Sequence, residues 1–257
     1  MFERIIDVKG KSLFVKYNQE YTGRSTIVFL HDSLGSVQLW RDFPEKLAEA
    51  TQCNILVYDR LGYGKSFPMV SHKRENDYME QESDVLYDLL SALNINNATL
   101  FGHSDGGTIA LITASKYPQK IKAVICEAGH IFVEDVTVKG VEQALHTYNT
   151  TSLPARLQKY HGDKVETMVK AWTEIWFSKK FKSWNIEYLL KNITCPLLFI
   201  QGENDEYGTL DQVEKTISQV SGTAEKFIIP NIGHTPHKEA PEIVLNRSIE
   251  FINSLVN

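Results

Sequence analysis

Three side chains of the kinds used in nucleophilic catalysis each come just after a predicted strand in this 257-residue chain. The first is Ser104, in the stretch Gly102-His103-Ser104-Asp105-Gly106. A serine hydroxyl attacks poorly until a base removes its proton, so the pattern needs partners. The second is Asp205, after the run 196–202, and the third is His234, after the run 225–230. In such a set the histidine takes the serine proton, and the acid fixes the imidazole tautomer and stabilises its cation. Ser104, Asp205 and His234 are therefore the candidate catalytic residues. Glu203, Glu206 and Glu127 compete for the acid's place, Glu127 because it ends the strand after the serine. The Gly-x-x-Asp spacing behind Gly202 favours Asp205.

Eight histidines are present, and position separates them. His31 and His103 sit in loop signatures, and His72, His146 and His161 follow no strand. His130 opens a helical region and is a candidate ligand contact. His237 lies three residues after His234, a spacing that raises a metal pair. Pro236 between them opposes a helical pair, and no cysteine or carboxylate cluster accompanies them in the sequence. No metal and no cofactor are expected.

Positioning these groups requires a strand, a tight turn and a helix at the serine. Residues 98–101 are apolar and residues 108–114 suit a buried helix, with glycines two positions either side of Ser104 to let the two elements approach. Residues 2–17 alternate apolar and polar around Lys9-Gly10-Lys11, which predicts an antiparallel hairpin. Continuous apolar runs at 25–30, 54–58 and 122–126 predict central strands covered on both faces. Helices are expected over 36–50, with Leu39, Phe43, Leu47 and Ala50 inward, over 77–93, and over 241–255. From 130 to 192 the strand signal stops and amphipathic helical patterns replace it. The clearest stripe is Val165, Met168, Val169, Trp172, Ile175 and Trp176. Stripes of this kind usually pack helices, but Trp172 and Trp176 are also candidates to wall a ligand.

Composition narrows the classes further. The chain is 42% hydrophobic with a net charge of −5, so it lacks the basic footprint of a nucleic-acid binder. No apolar run is long enough to span a bilayer, and the N-terminus lacks a signal-type apolar core. Cys53, Cys126 and Cys195 are odd in number and fall at strands, which predicts reduced, buried thiols in a cytoplasmic protein. The segment Gly62-Tyr63-Gly64-Lys65-Ser66 lacks the upstream glycine of a phosphate-binding loop.

The order serine, acid, histidine, with His31-Asp32-Ser33-Leu34-Gly35 and Asp59-Arg60-Leu61-Gly62-Tyr63-Gly64-Lys65-Ser66, resembles the α/β-hydrolases across nearly the whole chain. The resemblance implies an α/β fold: a mostly parallel sheet with an opening hairpin, helices on both faces and an inserted helical cap. It implies a core of residues 1–129 and 193–257 and a cap of 130–192. It further implies an oxyanion hole from the N–H groups of Ser33 and Asp105, although many members carry glycine where this chain has Asp32. The stretch 104–118 with Leu34-Gly35-Ser36 is similar to the biphenyl-hydrolase-like branch, which includes amino-acyl ester hydrolases. In that branch an acid after the nucleophile meets the substrate's amino group, and Asp105 occupies the matching place. Otherwise Asp105 serves as a helix N-terminal charge. The expectation is a serine hydrolase acting on small carboxylic esters with apolar bulk. A carbon–carbon bond hydrolase and a small-molecule sensor on the same fold are the alternatives.

Overall fold

The computed structural model describes residues 1–255, so Val256 and Asn257, the end of the expected core segment, lie outside it. The chain opens with strands β1 (Phe2–Val8) and β2 (Lys11–Tyr17), an antiparallel hairpin. Its turn is tight because Lys9 and Gly10 both take positive φ, +52° and +81°. The remaining strands are β3 (Thr26–Leu30), β4 (Asn54–Tyr58), β5 (Ala98–His103), β6 (Ile121–Glu127), β7 (Leu197–Gly202) and β8 (Ala224–Ile229). They form one eight-stranded sheet in the order β1-β2-β4-β3-β5-β6-β7-β8. Every pairing from β4 onward in that order is parallel.

The central strands read as unbroken apolar runs because both faces are covered. Along β3, Val28 and Leu30 face one core while Ile27 and Phe29 face the other. The first core takes helices α2 (Tyr78–Ala92) and α3 (Asp105–Lys116), through Met79, Leu86, Leu90, Ile109 and Ile112. The second takes α1 (Phe43–Thr51) and α10 (Pro241–Ser254), through Phe43, Leu47, Val244 and Phe251.

The helix expected over 36–50 is broken. Val37–Trp40 form a short 3₁₀ turn, Arg41 takes φ +55°, and α1 starts afresh at Phe43 with Pro44 in its first turn. Proline has no N–H and disfavours helical backbone just before it, so one helix cannot run through Pro44. The break shifts the buried face: Trp40 and Ala48 are buried, whereas Ala50 is exposed.

Between β6 and β7 lie four α-helices: α4 (Asp135–Thr150), α5 (Leu153–His161), α6 (Val165–Phe177) and α7 (Glu187–Leu190). The two ends of this insertion are pinned together, since Ile186 N–H donates to Ile131 C=O at 2.8 Å. Two further helices, α8 (Leu210–Gln219) and the short α9 (Pro236–Glu239), flank the last strands. Among the described residues no helix is long and apolar enough to cross a membrane.

Candidate active site

Strand β5 ends at His103 and α3 begins at Asp105, so the chain reverses at Ser104 with φ +55° and ψ −122°. Non-glycine residues reach such a conformation at a cost of about 1–3 kcal/mol. The surroundings enforce it. A Cβ on Gly102 would sit 2.1 Å from Gly106 O, and one on Gly106 would sit 2.1 Å from Leu30 O. Only glycines let strand and helix come this close. Ser104 N–H is held by Glu127 C=O at 2.9 Å, which leaves the hydroxyl projecting from the turn.

His234 meets that hydroxyl. Its Nε2 lies 2.9 Å from Ser104 Oγ, and its Nδ1 lies 2.9 Å from both Asp205 oxygens. Asp205 also accepts from Tyr207 N–H at 2.8 Å, Gly208 N–H at 3.3 Å and Gln201 Nε2 at 2.8 Å. Burial pushes the Asp205 carboxyl up, but His234 and the Tyr207 N–H outweigh it and hold the group below its ordinary range. An ionised acceptor fixes the Nδ1–H tautomer, so Nε2 presents its lone pair to the serine. Burial lowers His234, yet Asp205, Glu206 and Asp32 together raise its pKa above the ordinary value. Of the competing acids, Glu206 accepts His234 N–H at 3.2 Å, Glu203 accepts Asn231 N–H at 3.3 Å, and Glu127 turns elsewhere.

A cleft of about 610 Å³, counted to its open mouth, lies over Ser104. Leu34, Val141, Trp172 and Trp176 supply its apolar wall, and His130 and Tyr207 flank His234. The other aromatics of the insertion between β6 and β7 divide: Phe181 and Trp184 stack at 5.1 Å inside the core, while Tyr188 is exposed. His130 is buried, donates Nε2–H to Tyr207 C=O at 3.1 Å, and has its pKa lowered by burial and by His234. Beside the serine, Ser33 has a buried hydroxyl without a partner. Among the described residues the Ser33 and Asp105 N–H groups also have no backbone or side-chain acceptor.

Asp105 lines the cleft, but its carboxylate is only 3% exposed and is already engaged. Tyr78 donates to it at 3.2 Å, and Arg60 Nη2 approaches to 3.6 Å. A substrate ammonium would have to share it with the Arg60 cation. Asp32 lines the same cleft, and among the described residues its carboxylate meets no hydrogen-bond donor. Burial opposes its ionisation, but Lys238, His103 and His31 hold it well below the usual carboxylate range.

Several contacts at the site escaped the sequence reading. His161, which follows no strand, is buried and joins two loops: it donates Nε2–H to Leu34 C=O at 3.1 Å and accepts Gly64 N–H at 2.9 Å. The glycine-rich loop at 62–66 wraps Asp59, which accepts Lys65 N–H and Val37 N–H at 2.7 Å each. His237 does have a carboxylate companion, contrary to the expectation. Its N–H donates to Glu127 Oε1 at 2.7 Å and its Nδ1–H to Oε2 at 2.6 Å, with Glu127 fully buried. Burial would push the Glu127 carboxyl up, but His237 keeps it lowered. His103, Glu127 and His237 offer ligand atoms within 4.8 Å of one another. Both Glu127 oxygens are taken by His237, so a cation there would have to break that pair.

The family model for the alpha/beta hydrolase fold matches residues 25–155. The chain is 27% identical over 237 residues to the serine hydrolase BPHL of Mus musculus, covering 90% of this chain and 80% of that protein. It is 24% identical over 273 residues to a 2-hydroxy-6-oxononadienedioate/2-hydroxy-6-oxononatrienedioate hydrolase of Burkholderia vietnamiensis, covering 95% and 92%. Among solved structures, a bacterial membrane phospholipase A superposes with TM-score 0.79 at 18% identity, covering 100% of this chain and 87% of that one.

Proposed function

Because the chain belongs to the α/β-hydrolase fold family, we propose that it is a serine hydrolase cleaving small carboxylic esters through an acyl-enzyme. The observation that carries this reading is the continuous line from Asp205 through His234 to Ser104 Oγ, opening into a cleft. Ser104 Oγ attacks the ester carbonyl while His234 Nε2 takes its proton. The carbonyl electrons move to an oxyanion held by the N–H groups of Ser33 and Asp105. Collapse expels the alcohol, which leaves with the proton from His234, and the acyl group stays on Ser104. Water, deprotonated by the same nitrogen, then attacks the acyl carbonyl, releases the acid and restores the hydroxyl.

Residues 130–192 act in this reading as a cap, and Trp172 and Trp176 with His130 face the apolar part of the substrate. Asp105, committed to Tyr78 and Arg60, serves through its backbone. If the substrate carries an ammonium, Asp32 is the freer carboxylate to receive it. Three buried free cysteines suit a reducing, cytoplasmic setting.

One specific observation favours a second reading. The Burkholderia relative is named for hydrolysis of oxo-dienedioate compounds, and the same triad can serve carbon–carbon cleavage. Turnover on aryl esters, amino-acyl esters and vinylogous diketones separates the two. The ester reading expects the ester kcat/KM to exceed that for the diketones, and the reverse ranking replaces it.

A further inference from the structure

Behind the Ser104–His234 contact lies a second carboxylate–histidine pair that the proposed reaction does not use. Glu127 touches both sides of the catalytic contact. Its backbone C=O holds the nucleophile's N–H at 2.9 Å, and its carboxylate takes the N–H and the ring of His237. His237 stands three residues beyond His234, at the start of α9, so fixing it fixes the loop that carries the base. A third tie runs between them: His103 donates Nε2–H to the backbone C=O of His234 at 2.8 Å. The pair is sealed from solvent. Glu127 is fully buried, and the His237 ring lies 4.5 Å from the Trp40 ring.

We propose that Glu127 and His237 form a positioning clamp that sets the distance between the base His234 and the nucleophile Ser104. The proposal rests on the reading of those two residues as base and nucleophile. The bond from His234 to Asp205 fixes one edge of the imidazole and its tautomer. It leaves the ring free to pivot about that edge, so the opposite nitrogen still needs a second constraint to stay within reach of Ser104. The clamp supplies it through the backbone of residues 234–237. A displacement near 1 Å at a reacting atom costs roughly 10²-fold in rate, so a lost clamp shows in kcat more than in KM.

The geometry also says which substitutions keep the clamp. Glutamine at 127 retains an oxygen for the His237 N–H, and its amide NH₂ can donate to Nδ1 in the other tautomer. Alanine at 127 or at 237 removes the side-chain contact altogether.

The test uses the full chain and counts active sites with a fluorophosphonate probe, so that misfolded protein drops out. Glu127→Ala and His237→Ala should each lower kcat per titrated site on an aryl ester by roughly 10- to 100-fold with KM nearly unchanged. Labelling of Ser104 should slow in parallel, and Glu127→Gln should restore most of the rate. The double alanine variant should be no slower than the slower single one, because one unit is lost in each case. A second readout is independent of turnover. The downfield proton resonance of His234 Nδ1–H should broaden in both alanine variants and stay sharp in Glu127→Gln. Lowered thermal stability with kcat per site and the resonance unchanged would overturn the clamp, leaving the pair merely structural. Additive losses in the double variant would overturn it as well. A wild type that neither labels nor turns over esters would instead defeat the hydrolase reading, and the resonance alone would then decide the clamp.

Discussion

Two carboxylate–histidine pairs sit side by side at the carboxyl edge of the sheet. Asp205–His234 hangs from the end of β7, and Glu127–His237 from the end of β6. In each, histidine Nδ1 meets the acid, at 2.9 Å and 2.6 Å. They differ in what surrounds them. The outer nitrogen of His234 meets Ser104 in an open cleft, whereas the His237 ring packs against Trp40 and Phe43. Asp205 also collects backbone N–H groups from Tyr207 and Gly208, on residues other than its histidine, while both hydrogen bonds to the Glu127 carboxylate come from His237. The pair itself is therefore not the source of chemistry. What separates the two is the serine hydroxyl at the far nitrogen of His234, which His237 lacks.

Neutralising each acid in turn separates the two pairs by the largest effect. Asp205→Asn should lower kcat by about 10⁴-fold, since a neutral amide leaves His234 in the wrong tautomer. Glu127→Gln should keep most of the activity. Steady-state kinetics on one aryl ester suffice, and a reversal of the two effects would transfer the catalytic role to Glu127.

A smaller effect separates the pairs by pH. His234 must be neutral to act as a base, and its pKa is raised, so kcat/KM should fall as pH drops through that raised value. Asp32 is one of the charges that raise it, so Asp32→Asn should move the acid limb of the profile to lower pH. His237→Ala should leave the limb where it is, although the rate drops. A limb that moves with His237 and not with Asp32 would mean that the sealed pair, not the open one, titrates in catalysis.

Much of this was legible in the chain itself. Alternation over 2–17 and mostly apolar runs of four to seven residues marked the strands, and the glycines around Ser104 marked the turn, because these signals are local. The order of serine, acid and histidine after β5, β7 and β8 followed from the same runs. What stayed hidden depends on pairs far apart in sequence. Glu127 and His237 are 110 residues apart, and Tyr78 reaches Asp105 across 27. No periodicity announces such contacts. The break at Arg41 was in principle readable, since Pro44 interrupts the helical pattern, but the spacing of Leu39, Phe43 and Leu47 concealed it. Asp32 was visible as a departure from glycine, yet its place in the cleft needed the fold.

In the proposed reaction Ser104 is the nucleophile, activated by His234 and Asp205. Intact-mass measurement after treatment with a fluorophosphonate tests it most directly. The wild-type chain should gain one adduct, peptide mapping should place it on Ser104, and Ser104→Ala should gain none. Equal labelling of the alanine variant, or an adduct mapped to another serine, would contradict the claim.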